Sequence, residues 1–238
     1  MTPELAPLEF RELRTVDELG ALPEFERRIW GGDSEMVSVN VLVATVSEGG
    51  MAIGAFAIDG REGPLVGAVY GFATADPHVL HSHYMAVDPA YRRQGLAIEL
   101  KQRQRAWCVD RGLTHMRWTY DPLQLANGHL NLNRLGAVGI SYHVNHYGLL
   151  GGINGSLPSD RVTVMWDLHE AAPRVTGGEV DAIAVDVPPV TADEIAASAP
   201  TAHAARLAVR EALAPRLGAG WLLTGIDLPN RRYHLTRP

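Results

Sequence analysis

The sequence predicts an α/β protein, α+β in layout, in which helices cover a mostly antiparallel sheet. Three observations carry that prediction. The apolar segments 51–58, 64–74 and 79–87 are separated by turn signals, Asp59-Gly60 in the first gap and Asp76-Pro77 in the second, the pattern of an antiparallel meander. The third segment runs through a short turn into a helix that opens at Gly95 and stops at Gly112. A strand follows over 114–120, so a strand–helix–strand unit lies mid-chain. Two capping boxes, Thr15 with Glu18 and Thr191 with Glu194, place helix starts on either side of it.

In chain order, Leu8 to Leu13 alternates as a first strand. Thr15 caps a helix reaching about Trp30, with Pro23 as a kink point and Gly31-Gly32-Asp33 as its stop. Val37 to Ser47 reads as a second short helix, although its periodicity also allows a strand. After the meander, the Gly95 helix has an apolar stripe of Leu96, Leu100 and Trp107, with Cys108 beside it. Its middle, Gln102 to Arg105, is wholly polar, which predicts a thin packing face. Strand 114–120 puts Met116, Trp118 and Tyr120 on one face. Asp121-Pro122-Leu123 is a turn, and Asn127 caps a short helix over 128–135 that Gly136 ends. A strand over 138–147, a glycine-rich loop over 148–155 and a strand over 161–168 complete this part. A linker over 171–178 leads to a strand (180–187), two helices (from Thr191, and 201–217) and two strands (221–226 and 232–235).

Composition narrows the function classes. Net charge is −6 with no basic tract, which argues against nucleic acid as a partner. No apolar run approaches the roughly 18 residues of a membrane span, and the start MTPELAPLEFREL does not read as a secretory signal. Cys108 is the single cysteine, so no internal disulfide forms and a cytoplasmic setting is expected. Lys101 is the only lysine, so nearly every fixed cation is a guanidinium suited to carboxylates and phosphates.

The turn Arg92-Arg93-Gln94-Gly95-Leu96-Ala97 is the chemical centre of this reading. A turn that opens a helix presents backbone N–H groups with no partner inside the helix, at the positive end of its dipole. Such a place binds anions, and Gly95 lets a phosphate approach with no Cβ in the way.

Val87-Asp88-Pro89-Ala90-Tyr91-Arg92-Arg93-Gln94-Gly95-Leu96-Ala97 resembles motif A of the GNAT superfamily of CoA-dependent N-acyltransferases: an apolar strand end, then Arg/Gln-x-x-Gly-x-Gly/Ala. The element order matches over roughly residues 8–168. A narrower resemblance, in Trp118 to Leu123, Asn127 to Asn131, Leu135-Gly136, Tyr147-Gly148 and Asp160-Arg161, is to a subgroup found beside N-acylamino-acid racemases and thought to acylate amino acids. The resemblance implies a GNAT-like catalytic domain over 1–170, its mixed sheet splayed around the central βαβ unit, with a small α/β extension over 171–238. It implies that Arg92, Arg93, Gln94, Gly95, Leu96 and Ala97 hold the diphosphate of acetyl-CoA or another acyl-CoA. The pantetheine arm would lie in the splay between the strands ending at Val87 and Tyr120, paired with the backbone near Met85 and Val87. The Val87 N–H would polarise the thioester carbonyl, and Asn127 would bond the arm or order its loop.

The reaction so implied is transfer of an acetyl or succinyl group to a primary amine, an amino acid or other small amine, by direct attack in a ternary complex. His81 and His83 lie two apart on one strand and so share a side. In arylalkylamine N-acetyltransferases of this superfamily, histidines at these spacings are implicated in deprotonating the ammonium, a task suited to a base near neutral pKa. They also read as satisfied strand histidines or a cavity wall. Many relatives place a tyrosine, the general acid, four residues before the glycine that matches Gly136. Leu132 stands there, which leaves Tyr142, Tyr147, another side chain or water to protonate the thiolate. Trp118, Tyr120, Asp121 and Arg161 are candidate substrate contacts, with Arg161 able to bind a carboxylate or merely to pair with Asp160. His81-x-His83 and His143-x-x-His146 lack the carboxylate or thiolate that would complete a metal set, so no metal is expected. A non-catalytic acyl-CoA sensor is the alternative reading, and the tail could be a degenerate half of a second acyltransferase fold, form a homodimer interface, cover a sheet edge or close the cavity.

Overall fold

The computed structural model describes residues 7–31, 36–58, 63–169 and 181–237. The chain divides into two units, Met1–Thr114 and His115–Pro238. Several sequence expectations lie outside the described residues: Gly32-Asp33 of the first helix stop, Asp59 to Glu62 of the meander turn, the linker over 171–178, and with it the junction at 170/171.

In the first unit, β1 (Leu8–Glu12), β2 (Met51–Ala57), β3 (Leu65–Ala73) and β4 (Val79–Val87) pair antiparallel in that order. Helix α1 (Val16–Trp30) starts at Thr15, whose hydroxyl accepts from Glu18 N–H while the Glu18 carboxylate accepts from Thr15 N–H at 2.9 Å. Both halves of the expected capping box are present. Helix α2 (Val39–Ser47) resolves the ambiguity left by periodicity in favour of a helix. One face of the sheet packs beneath α1 and α2 through Leu13, Leu19, Leu22, Phe25, Leu42, Tyr70 and Ala86.

The other face carries α3 (Leu96–Val109). Its expected thin middle is corrected by the structure: Lys101 and Gln104 are buried, and with Leu96, Leu100 and Cys108 they complete the inner stripe. Lys101 Nζ donates to Ser82 Oγ (2.7 Å) on β4 and to Gln104 Oε1 (3.1 Å), so the polar groups are satisfied inside rather than turned to water. The close approach depends on two glycines of β3. A Cβ at Gly67 would meet Leu96 and Leu100 at 3.1 Å, and one at Gly71 would meet Gln104 at 3.1 Å.

In the second unit, β5 (His115–Tyr120), β6 (Val138–His143), β7 (Arg161–Asp167), β8 (Asp181–Asp186), β9 (Leu222–Asp227) and β10 (Arg232–Arg237) also pair antiparallel, in the order β5-β7-β6-β9-β10-β8. Met116, Trp118 and Tyr120 are buried on one face of β5, as the alternation predicts. The region expected to be one short helix is α4 (Leu125–Gly128) followed by a π-helical turn, His129–Arg134. Gln124 is the residue before it, so Asn127 lies inside α4 rather than at its cap. The tail supplies β8 to β10 together with α5 (Ala192–Ala196) and α6 (Pro200–Gly218). It continues the sheet by pairing Leu223 with Gly139 of β6. The fold is mixed α/β with antiparallel strands in each unit, the class the sequence predicts.

Candidate active site

The first unit holds the strand end and turn that the sequence singled out. Between Tyr70, opposite Tyr84, and Gly71, opposite Ser82, the register of β3 on β4 slips by one, so His83 is an extra residue. This bulge gathers rings on one face. His81 stacks on Phe72 (centroids 4.8 Å), His83 lies 5.6 Å from Phe72 and 5.7 Å from Tyr70, and the two histidines are 6.0 Å apart. Burial against these rings pushes the pKa of His83 below its usual value, so the neutral base is favoured.

Asp88 N–H donates to Val66 O at 2.9 Å, so Val87 and Met85 occupy the non-hydrogen-bonded positions of the pairing with β3. Their backbone groups point away from β3, and Val87 O accepts from Arg92 Nε at 3.1 Å. The turn beyond is braced by its own side chains: Asp88 Oδ1 accepts from Ala90 N–H, and Gln94 Nε2 donates to Ala90 O at 2.8 Å. Arg93 (φ 62°) and Gly95 (φ 89°) both adopt left-handed backbone, a conformation that orients successive N–H groups into a concavity. Gly95 caps α3, and its carbonyl accepts the first helical bond, from Glu99 N–H at 3.0 Å. The N–H groups of Leu96 and Ala97 precede that bond and meet no backbone acceptor among the described residues. A Cβ at Gly95 would touch nothing within 4 Å, so the space in front of the turn is open.

The second unit brings Trp118, Tyr120, Asp121 and Arg161 into its interior. Trp118 Nε1 donates to Asn131 Oδ1 at 3.3 Å, and the Tyr120 hydroxyl donates to that of Tyr233 at 3.3 Å. Both Asp121 oxygens are taken by Arg206 at 2.6 Å, and Oδ1 also accepts Leu123 N–H at 2.8 Å. Arg161 does not pair with the Asp160 carboxylate. That group accepts from Arg210 twice (2.8 and 2.9 Å), from Tyr142 and from Asn145 N–H. Burial alone would raise the Asp160 pKa, but these bonds outweigh it and hold the group below its ordinary value. Arg161 Nη1 donates to Asp160 O at 2.9 Å, lies 3.9 Å from the already paired Asp121, and its guanidinium sits 5.6 Å from the Tyr147 ring. Asp121 and Asp160 thus face three arginines, and the contact of Arg161 with Asp121 is the longest of these ion pairs.

Of the residues proposed as general acids, Tyr142 is bound to Asp160 at 2.7 Å, and its pKa is pushed up by burial and by that carboxylate. Tyr147 is 44% exposed and shares a hydrogen bond with Thr119 Oγ1 at 3.1 Å. Leu132 is buried and Asn127 is exposed on α4. Among the described residues there is no cluster of metal-ligating side chains. Sequence reasoning passed over Glu26, Tyr70, Phe72, Arg206 and Arg210. The arginines carry no local signal, since their partners Asp121 and Asp160 are 85 and 50 residues away.

The bulged strand, the glycine cap of α3 and the open space before it are the local features that the resemblance to CoA-dependent acyltransferases leads one to expect. Residues 23–130 match the family model described as the acetyltransferase (GNAT) family. A search of curated proteins finds no match. Among solved structures, the ribosomal-protein-S18-alanine N-acetyltransferase of Escherichia coli aligns with a TM-score of 0.54 at 18% identity, covering 70% of this chain and 97% of that one. The protein yncA of Salmonella typhimurium, solved with its cofactor acetyl-CoA, aligns at 0.53 and 15%, covering 71% and 98%. Ard1 of Thermoplasma volcanium aligns at 0.52 and 15%, covering 68% and 99%. The family match supports a CoA-dependent acetyltransferase. Among the described residues no helix is long and apolar enough to cross a membrane.

Proposed function

We propose that the protein transfers an acetyl or succinyl group from acyl-CoA to the primary amine of an amino acid or other small amine, by direct attack in a ternary complex. The observation that carries this is the turn from Arg92 to Ala97. Its left-handed residues and unpaired N–H groups suit a diphosphate. The Arg92 and Arg93 side chains are exposed beside it. Met85 and Val87 offer backbone groups to the pantetheine arm and the thioester carbonyl.

The amine must lose its proton before it attacks. His83, held in its neutral form, accepts that proton, with His81 beside it as the alternative base. The nitrogen forms the new C–N bond, the C–S bond breaks, and the departing thiolate takes a proton from water, since Leu132 offers none. Arg161, whose contact with the already paired Asp121 is 3.9 Å long, is the candidate contact for a substrate carboxylate. The resemblance to the racemase-associated subgroup supports the same acceptor class. A cytoplasmic setting fits a CoA thioester as donor.

Calorimetry with acetyl-CoA, succinyl-CoA and free CoA tests the root of this reading. Wild type is expected to bind, and Gly95→Glu, which puts a side chain at positive φ and a negative charge in the concavity, is expected to weaken binding by about a hundredfold or more. Equal binding by the variant would remove the turn as the diphosphate site. Tight binding without turnover across a broad amine panel would favour the sensor instead.

A further inference from the structure

A cavity of about 470 Å³ in the first unit lies beside the ring cluster. Met36, Val37, Val41, Tyr70, Phe72 and His83 line it, with Ser38 and Thr45. None of these residues carries a fixed charge. Its polar floor is self-satisfied, because the Thr45 and Tyr70 hydroxyls bond each other at 2.5 Å. The Glu26 carboxylate accepts from Val37 N–H at 3.4 Å and is only 2% exposed. Burial raises its pKa to about 7. Val41, at the mouth, is 49% exposed. The volume exceeds the roughly 150 Å³ that accommodates a benzene ring in an apolar cavity.

We propose that this cavity seats the body of the acceptor, an uncharged aryl or branched-alkyl group, with the amine directed to His83. The proposal rests on the N-acyltransferase reading and adds the side-chain class. An uncharged wall leaves a second ammonium or a side-chain carboxylate desolvated without a partner, so polyamines and acidic amino acids are rejected.

The test measures kcat/KM by CoA release, with acetyl-CoA and succinyl-CoA as donors. Phenylalanine, leucine and 2-phenylethylamine are expected to exceed glutamate and spermidine by about tenfold or more. Charged acceptors equal to or better than the apolar ones would overturn the proposal. Val41→Lys, on an exposed helical position, is expected to raise KM for phenylalanine about tenfold with kcat within about twofold. An unchanged KM would overturn the proposal as well. Free CoA and 2-phenylethylamine are also titrated separately by calorimetry. If CoA gives no heat, the acyltransferase reading fails. If 2-phenylethylamine gives none, with or without CoA, the pocket assignment fails.

Discussion

At the scale of single residues, His83 combines a strand position readable from sequence with an electrostatic state that is not. Its pKa is lowered by burial, so the folded protein holds it neutral to a lower pH than the unfolded chain does. Any stability it contributes is present above about pH 6.5, and is lost as the pH falls through the depressed folded value. The same shift sets a catalytic expectation. The acid limb of kcat/KM should fall below about pH 6.5, and His83→Ala should lower kcat by about a hundredfold or more. A profile whose acid limb is the same in wild type and variant would transfer the base role to His81 or to water. The histidine pair was legible because Cβ atoms alternate along a strand. The bulge was not, because it comes from pairing with β3 and leaves no mark in the local alternation.

At the scale of elements, α3 departs most from its sequence reading. Charged and amide side chains at helical spacing predict a solvent face, yet Lys101 is buried with its ammonium on Ser82 and Gln104. Burial lowers its pKa to about 7. Unfolded lysine titrates near 10.4, so stability should decline as the pH drops from about 10 toward 7 and level off below that. Lys101→Met removes the penalty and keeps most of the volume. It is expected to stabilise the protein by about 1–4 kcal/mol at pH 7, with a gain that shrinks toward pH 10. Urea unfolding at the two pH values measures this, and a destabilised variant at pH 7 would show that the polar network outweighs the desolvation. The helix ends, by contrast, were readable in advance. Thr15, Thr191, Gly95 and Gly112 act through their own backbone and hydroxyl geometry, which needs no distant partner.

At the scale of the whole molecule, the tail is not an appendage to the second unit's sheet. It adds β8, β9 and β10, and α6 reaches back with Arg206 to Asp121 and Arg210 to Asp160. Residues 171–238 are therefore proposed to be an extension that the catalytic domain needs in order to fold. Arg206→Ala strands a carboxylate that is 7% exposed, and is expected to cost about 3–5 kcal/mol in urea unfolding. A loss under about 1 kcal/mol would mean that Asp121 is satisfied without it. The sequence by itself determined the α/β class, the order of elements, the helix caps and the turn at Gly95, because each depends on neighbours a few residues apart. Only the tertiary structure decided the bulge at His83, the buried Lys101, the ion pairs that engage Asp121 and Asp160, and the uncharged pocket beside the histidines. Each of these depends on which distant side chain arrives opposite, and on whether water is excluded when it does.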